Sequence, residues 1–294
     1  FLRAGQPVRL RVSTSKSRLY HTGAVAQRLS EAMEESTGVA PTVATGADDD
    51  EEAGEIPLVI VRLFRDRCTV SIDSSGALLH RRGYRLATAK APLRETLAAA
   101  LVLASGWDPS TPLLDPMCGA GTIPIEAAML ARRIPPGLSR RFAFMAWPGF
   151  HAPTWEKLLN EARAQILPSA PSPILGSDRD AGAVAAARAN AERAGVAGDV
   201  AFEERVISRI APPEGRAAGA IVTNPPYGVR VGDRDALRNL YAQLGNVARE
   251  RFPGWRLTVL SADPRLDAQL GEGLEVALTT KNGGIAVRAV TAVS

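Results

Sequence analysis

From Pro112 onward, short apolar runs alternate with helical patterns, and the first run empties into a glycine loop. The expected strands are 112–115, 174–178, 200–204, 218–223 and 257–261. The helices between them are 122–131, 181–193 and 235–249. Two final runs, 274–280 and 285–290, flank Asn282-Gly283-Gly284, a hairpin signal. Alternation of this kind implies an α/β fold, with a mostly parallel sheet covered by helices and an antiparallel strand at its end.

The first 75 residues have another rhythm. Val8, Leu10 and Val12 alternate with Arg9, Arg11 and Ser13, as in a half-buried strand with a basic outer face. Val25, Leu29, Ala32 and Met33 recur at helical spacing from Thr22, and Gly38 and Pro41 end that helix. The β-rich runs 58–64 and 68–72 are joined by Arg65-Asp66-Arg67, which reads as a hairpin. The result is a small α+β unit. A helix over 92–103, with Pro at its start and Gly106 at its end, links it to the alternating region. The expected divisions are 1–80, 81–110 and 111–294.

Charge separates the two regions. The whole chain has 35 Lys and Arg against 31 Asp and Glu, and residues 1–90 hold thirteen against eleven. Six of those acids lie in one aperiodic run, Asp48 to Glu55, expected to be a solvated loop. Without the run this region carries +8, which suits a polyanion such as nucleic acid. Two cysteines, Cys68 and Cys118, exclude a disulfide-stapled domain and suit a reducing cytoplasm. The longest apolar stretch, Leu97 to Ala104, is far short of the ~20 residues of a membrane span. The three histidines are scattered, and no metal-ligand spacing is visible. The start at Phe1 suggests a trimmed N-terminus.

The loop Asp115-Pro116-Met117-Cys118-Gly119-Ala120-Gly121-Thr122 lies where a doubly wound sheet binds ligands. Gly119 and Gly121 are expected to let the backbone approach a ligand. A dinucleotide fingerprint would need a third glycine where Pro124 stands, and no phosphate-loop Lys is present. The ligand is therefore expected to be a nucleoside without pyrophosphate, with Asp115 facing a cationic or amine-bearing part. Asp178, at the end of the next strand, can accept hydrogen bonds from both ribose hydroxyls. A helix N-terminal charge is the competing reading for Asp178 and Asp180. Cys118 has no adjacent base and is not expected to be a nucleophile.

Asn224-Pro225-Pro226-Tyr227-Gly228 follows the apolar strand 220–223. Two prolines cannot continue a central strand and instead fix a rigid turn. The Asn224 side-chain oxygen and the Pro225 carbonyl then form a fork of acceptors, matching the two hydrogens of a planar amino group. Tyr227 offers a ring on which a base can stack, worth about 1–3 kcal/mol. Accepting both hydrogen bonds makes an aniline-like nitrogen more electron-rich and aims its lone pair at an electrophile.

Together, the loop 115–122 and the turn 224–227 resemble class I S-adenosylmethionine-dependent amino-methyltransferases. The wider resemblance is to THUMP-domain RNA methyltransferases of the bacterial large-subunit rRNA guanine-N2 branch. It is carried by Val12 to Thr22, by His80 to Arg85 with Ala91 to Leu97, and by the insert 132–173 with Ile134-Pro135-Pro136-Gly137-Leu138 and Phe142-Ala143-Phe144. It covers nearly the whole chain, and the family's leading ferredoxin-like piece is not expected among these residues. The resemblance implies a seven-stranded Rossmann-like methyltransferase domain preceded by a THUMP-type RNA-binding domain. It implies S-adenosylmethionine over Asp115, Pro116, Met117, Cys118, Gly119, Gly121 and Thr122. Asp178 and Arg179 would meet its ribose side, with Arg94, Glu95 and Thr96 near its methionine end. Asn224, Pro225, Pro226 and Tyr227 would hold a guanine amino group of 23S rRNA. Where the family has an Asp for the adenine amino group, this chain has Val206, so Glu204 substitutes or packing holds the adenine. Arg9, Arg11, Lys16, Arg18, Arg81, Arg82 and Arg85 are expected RNA contacts, with no membrane or metal partner. The rival readings are a tRNA guanine-N2 methyltransferase, a DNA adenine-N6 methyltransferase, a protein-glutamine methyltransferase and a non-catalytic RNA-binding protein.

Overall fold

The computed structural model describes residues 1–3, 5–43, 56–86, 93–215, 218–227 and 234–293. The acidic run 48–55, the junction residues Ala91 and Pro92, and Gly228 lie outside them. The chain divides into two compact units. One comprises Phe1–Arg81 and Ser139–Asn160, the other Arg82–Leu138 and Glu161–Ser294. The segment 139–160, expected within the second domain, thus belongs with the first. The expected connecting stretch from Arg82 to 110 belongs with the second.

The first unit contains β1 (Arg9–Ser15), α1 (Thr22–Thr37), β2 (Thr42–Val43), β3 (Leu58–Phe64) and β4 (Arg67–Ile72). Its sheet has the order β2-β1-β3-β4. Val8, Leu10, Val59, Val61 and Leu63 form a small core, covered by Val25, Leu29 and Met33 of α1. Gly38 ends α1 in the left-handed conformation, donating its N–H to the Glu34 carbonyl. Arg65 and Asp66 turn β3 into antiparallel β4, both with positive φ (51° and 59°), as a two-residue hairpin demands. The segment 139–160 adds an aromatic cluster in which Phe144 lies 5.4 Å from Phe142 and 5.1 Å from Trp155. Phe144 N–H is tied to the Ser74 carbonyl at 3.1 Å.

The remaining elements are α2 (Glu95–Ala104), β5 (Leu113–Asp115), α3 (Thr122–Ala131), α4 (Ala152–Ala164), β6 (Ile174–Asp178), α5 (Ala181–Arg193), β7 (Val200–Glu204), β8 (Ala220–Thr223), α6 (Arg234–Arg251), β9 (Arg256–Ser261), α7 (Pro264–Leu270), β10 (Glu275–Asn282) and β11 (Ile285–Val293). The second unit's sheet has seven strands in the order β10-β11-β9-β8-β5-β6-β7. β5, β6, β7, β8 and β9 are mutually parallel, and only β11 and its partner β10 introduce antiparallel pairing. Adjacent strand residues point to opposite faces, so Leu113 enters a core with α2, α3 and α5 while Leu114 enters another with α6 and α7. The helices α4 and α7, unlike their neighbours, had no sequence expectation. The helix expected from Pro92 begins instead at Glu95, after Arg94 in an extended conformation. No described helix is long and apolar enough to cross a membrane.

Candidate functional site

The parallel strands β5, β6 and β8 end on one edge of the sheet, and the residues that follow them line a cleft of about 1220 Å³. Its wall includes Pro116, Met117, Gly119 and Thr122 after β5, Asp178 and Arg179 after β6, and Asn224, Pro225, Pro226 and Tyr227 after β8. Arg94, just before α2, also reaches it. The structure thus gathers residues spread over more than a hundred positions of sequence.

Asp178 is held by two backbone donors. Its Oδ2 accepts from Gly119 N–H and its Oδ1 from Asp180 N–H, both at 3.0 Å. Each oxygen keeps a further lone pair, and the side chain is half-buried on the cleft wall. The helix-capping role belongs to Asp180, whose Oδ1 accepts from Gly182 N–H (2.8 Å) and Ala183 N–H (3.2 Å).

Several expected loop residues shape the cleft from behind. Asp115, expected to face a ligand, is 1% exposed. Its Oδ1 accepts from Thr223 Oγ1 at 2.6 Å and from Met117 N–H at 3.1 Å. Burial pushes its carboxyl up to about 7, against the lowering effect of those two donors. Gly121 was expected to make way for a ligand, but the close approach is to the protein itself. It has φ of 83°, and a Cβ there would lie 2.9 Å from both Ala187 Cβ and Phe202 Cζ. Cys118 is also buried, and burial pushes its thiol up, away from the reactive thiolate. Thr96 does not line the cleft.

Val206 does line it, 43% exposed, with Ile207 beside it. Glu204, expected as a substitute acceptor, instead lines an adjoining cavity of about 740 Å³ with Arg179, Arg205 and Arg209.

The turn after β8 presents an unusual atom. Asn224 Oδ1 is buried and makes no hydrogen bond. A buried carbonyl left unsatisfied costs roughly 1–3 kcal/mol, so this one is poised for a donor. Pro225 is buried and Pro226 exposed. Tyr227 is half-buried, and its hydroxyl accepts from Asn282 Nδ2 at 2.7 Å. Asn282, Gly283 and Ile285 complete this wall. The sequence marked Asn282 only as part of a hairpin turn.

Two expected RNA contacts are placed elsewhere. Arg82 donates to both oxygens of Glu126, at 3.2 and 3.1 Å, and Tyr84 hydroxyl donates to Glu126 Oε1 at 3.0 Å. Arg85 Nε donates to Glu95 Oε1 at 3.1 Å and Arg85 Nη1 to the Leu93 carbonyl. These guanidiniums are largely buried because each neutralises an interior carboxylate, which removes them from a nucleic-acid-facing surface. Lys16 and Arg81 are exposed, Arg9 and Arg11 are half-buried, and exposed Arg18 pairs with Asp66 at 3.1 Å. Among the described residues, no group of three His, Cys, Asp or Glu is placed to hold a metal.

A family model described as UPF0020, RMKL-like, methyltransferase domain, matches residues 82–289. A Synechocystis protein named as a proposed RNA methyltransferase, slr0064, is 38% identical over 234 residues, or 79% of this chain. The chain spans 60% of that relative's length. A Listeria monocytogenes structure, described as a predicted N6-adenine-specific DNA methylase, has a TM-score of 0.78 and 32% identity. That match covers 98% of this chain and 74% of the other. SMU.472, a proposed methyltransferase solved with S-adenosylhomocysteine, has a TM-score of 0.80 and 28% identity, covering 99% and 76%. The α/β fold with a mixed sheet is that of class I methyltransferases.

Proposed function

The chain belongs to the RMKL-like methyltransferase family, and from that premise we propose that it methylates the exocyclic N2 amino group of a guanine in RNA, with 23S rRNA as substrate. Its methyl donor is S-adenosylmethionine. The residues fit that donor: a half-buried carboxylate with spare acceptor capacity at Asp178, a backbone loop at Gly119, and an apolar patch at Val206 and Ile207. When bound, the donor supplies an electrophilic methyl group on a sulfonium.

The observation that carries the reading is the orphaned Asn224 Oδ1 on the cleft wall. It accepts a hydrogen bond from the substrate amino group and so holds the nitrogen with its lone pair directed at the methyl. Pro225 and Pro226 keep that acceptor in place by fixing the turn. The Tyr227 ring stacks against the base, which must first leave its own stack to enter the cleft. Asp178 would hold the ribose of the donor, and Val206 and Ile207 would pack against its adenine in place of a carboxylate. Catalysis is then mainly positioning and polarisation of the amine.

The first unit acts as a THUMP-type RNA-binding domain, with Arg9, Arg11, Lys16, Arg18 and Arg81 toward the RNA backbone. A second reading, DNA adenine-N6 methylation, is favoured by the description of the Listeria structure, since the same turn serves an adenine amino group.

The test is methyl transfer from labelled S-adenosylmethionine to transcribed 23S rRNA. Asn224→Ala is expected to lower the rate by about two orders of magnitude, the scale for losing one transition-state acceptor or donor. Digestion to nucleosides should release N2-methylguanosine. Undiminished transfer in Asn224→Ala would place the site elsewhere, and N6-methyladenine formed in a duplex DNA substrate would favour the second reading.

A further inference from the structure

The β10–β11 hairpin sits at the far edge of the sheet, yet its tip forms a wall of the cleft. The strand register explains how. Arg288 of β11 pairs with Ser261, the last residue of β9. Ile285, Ala286 and Val287 therefore run on beyond the end of β9, by about 10 Å at ~3.3 Å per residue. β10 accompanies them, with Lys281 opposite Ala286 and Asn282 opposite Ile285. The tip thus stands on the side of the sheet where the Asn224–Tyr227 turn leaves β8. There Asn282 Nδ2 donates to Tyr227 Oη at 2.7 Å. Leu278 of the same hairpin and Tyr227 both pack against the core that α2 and α3 share with the sheet.

The tip is also open. Gly283 and Gly284 have φ of 54° and 86°, and a Cβ on either would meet nothing within 4 Å. Asn282 therefore brings a single polar group to the site at the head of a turn with no side-chain bulk. A stacking ring works only if it stays in place. The hydroxyl is the atom of Tyr227 furthest from its backbone and lies on the axis of the ring, so a hydrogen bond there restrains the swing of the whole ring about χ1.

We propose that Asn282 is a positioning residue: its amide holds the Tyr227 hydroxyl and so fixes the ring against which an unstacked RNA base lies, while the two glycines keep the entrance clear. The assignment rests on the function proposed above. It makes the antiparallel edge of the sheet part of substrate recognition.

The experiment compares wild type, Asn282→Ala, Tyr227→Phe and the double variant, with Asn224→Ala as a control. Transfer to transcribed 23S rRNA gives kcat and KM, calorimetry gives the S-adenosylhomocysteine affinity, and fluorine NMR follows 3-fluorotyrosine-labelled protein. Asn282→Ala and Tyr227→Phe should each lower kcat/KM for RNA about fivefold to tenfold, the scale of one hydrogen bond. Cofactor affinity should be unchanged. The double variant should be no worse than either single one, because both remove the same contact. The fluorine resonance missing from Tyr227→Phe should shift in Asn282→Ala. Wild-type kinetics in Asn282→Ala beside an inactive Asn224→Ala would overturn the proposal and leave the function standing. So would multiplicative losses in the double variant or an unmoved Tyr227 resonance. Full transfer by Asn224→Ala would place the site elsewhere and overturn this proposal with it, whereas no transfer by wild type would overturn the underlying function.

Discussion

Asp115 joins the two halves of the site without touching the cleft. Its partner Thr223 stands 108 residues away, directly before Asn224, so one hydrogen bond ties the loop after β5 to the turn after β8. Its position after a strand was visible in the sequence, but its inward orientation was not, because the hydroxyl it meets comes from a strand paired only in the folded sheet. The buried carboxyl, pushed up to about 7, binds its proton more tightly in the folded chain than in the unfolded one, where ~3.9 is usual. The resulting stability is complete below the unfolded value and is lost as pH rises through about 7. Unliganded wild type should therefore lose melting temperature between pH 5 and pH 8 more steeply than Asp115→Asn. Equal slopes in the two proteins, measured by scanning calorimetry, would show that Asp115 does not titrate there.

Among the elements, α3 and the hairpin show where sequence reading ends. The bounds of α3, β6, α5 and β7 match those expected from the sequence. The mostly parallel sheet with its antiparallel end followed from their alternation, and the count of seven strands from the resemblance to class I methyltransferases. What periodicity cannot show is the tertiary partner. Glu126 lies inside α3, and nothing near it in sequence predicts Arg82. The same holds for Asn282, whose role depends on the β9–β11 register. Removing Arg82 leaves a carboxylate that burial already holds above its ordinary range. Arg82→Ala should therefore cost about 3–5 kcal/mol of stability in urea unfolding, the scale for breaking a buried pair. RNA affinity per folded molecule should stay the same, and a selective loss of RNA binding would return Arg82 to the contact surface.

At the scale of the whole molecule, the cleft lies in the second unit, while exposed Lys16 and Arg18 lie in the first. The positive balance of the N-terminal region was readable from counts, and the described first unit keeps Lys16 and Arg18 exposed. Charge reversal at Arg11 and Lys16 should weaken RNA binding evenly across sequences. It should also reduce the salt dependence of binding by about one unit of slope per lost contact. Affinity for S-adenosylhomocysteine should not change, and filter binding with parallel calorimetry reads both. A drop in both affinities would mean that these residues support the fold and do not meet RNA.

The first unit is assembled from two separate stretches, Phe1–Arg81 and Ser139–Asn160, with Arg82–Leu138 of the second unit threaded between them. A single recombination breakpoint in the gene therefore cannot transplant either unit whole. A lineage that exchanged the first stretch alone would leave Phe144 to find its backbone partner at position 74 of a foreign chain. The two stretches are bound to be inherited as one, and the aromatic segment in the middle of the chain should vary in step with the N-terminal strands.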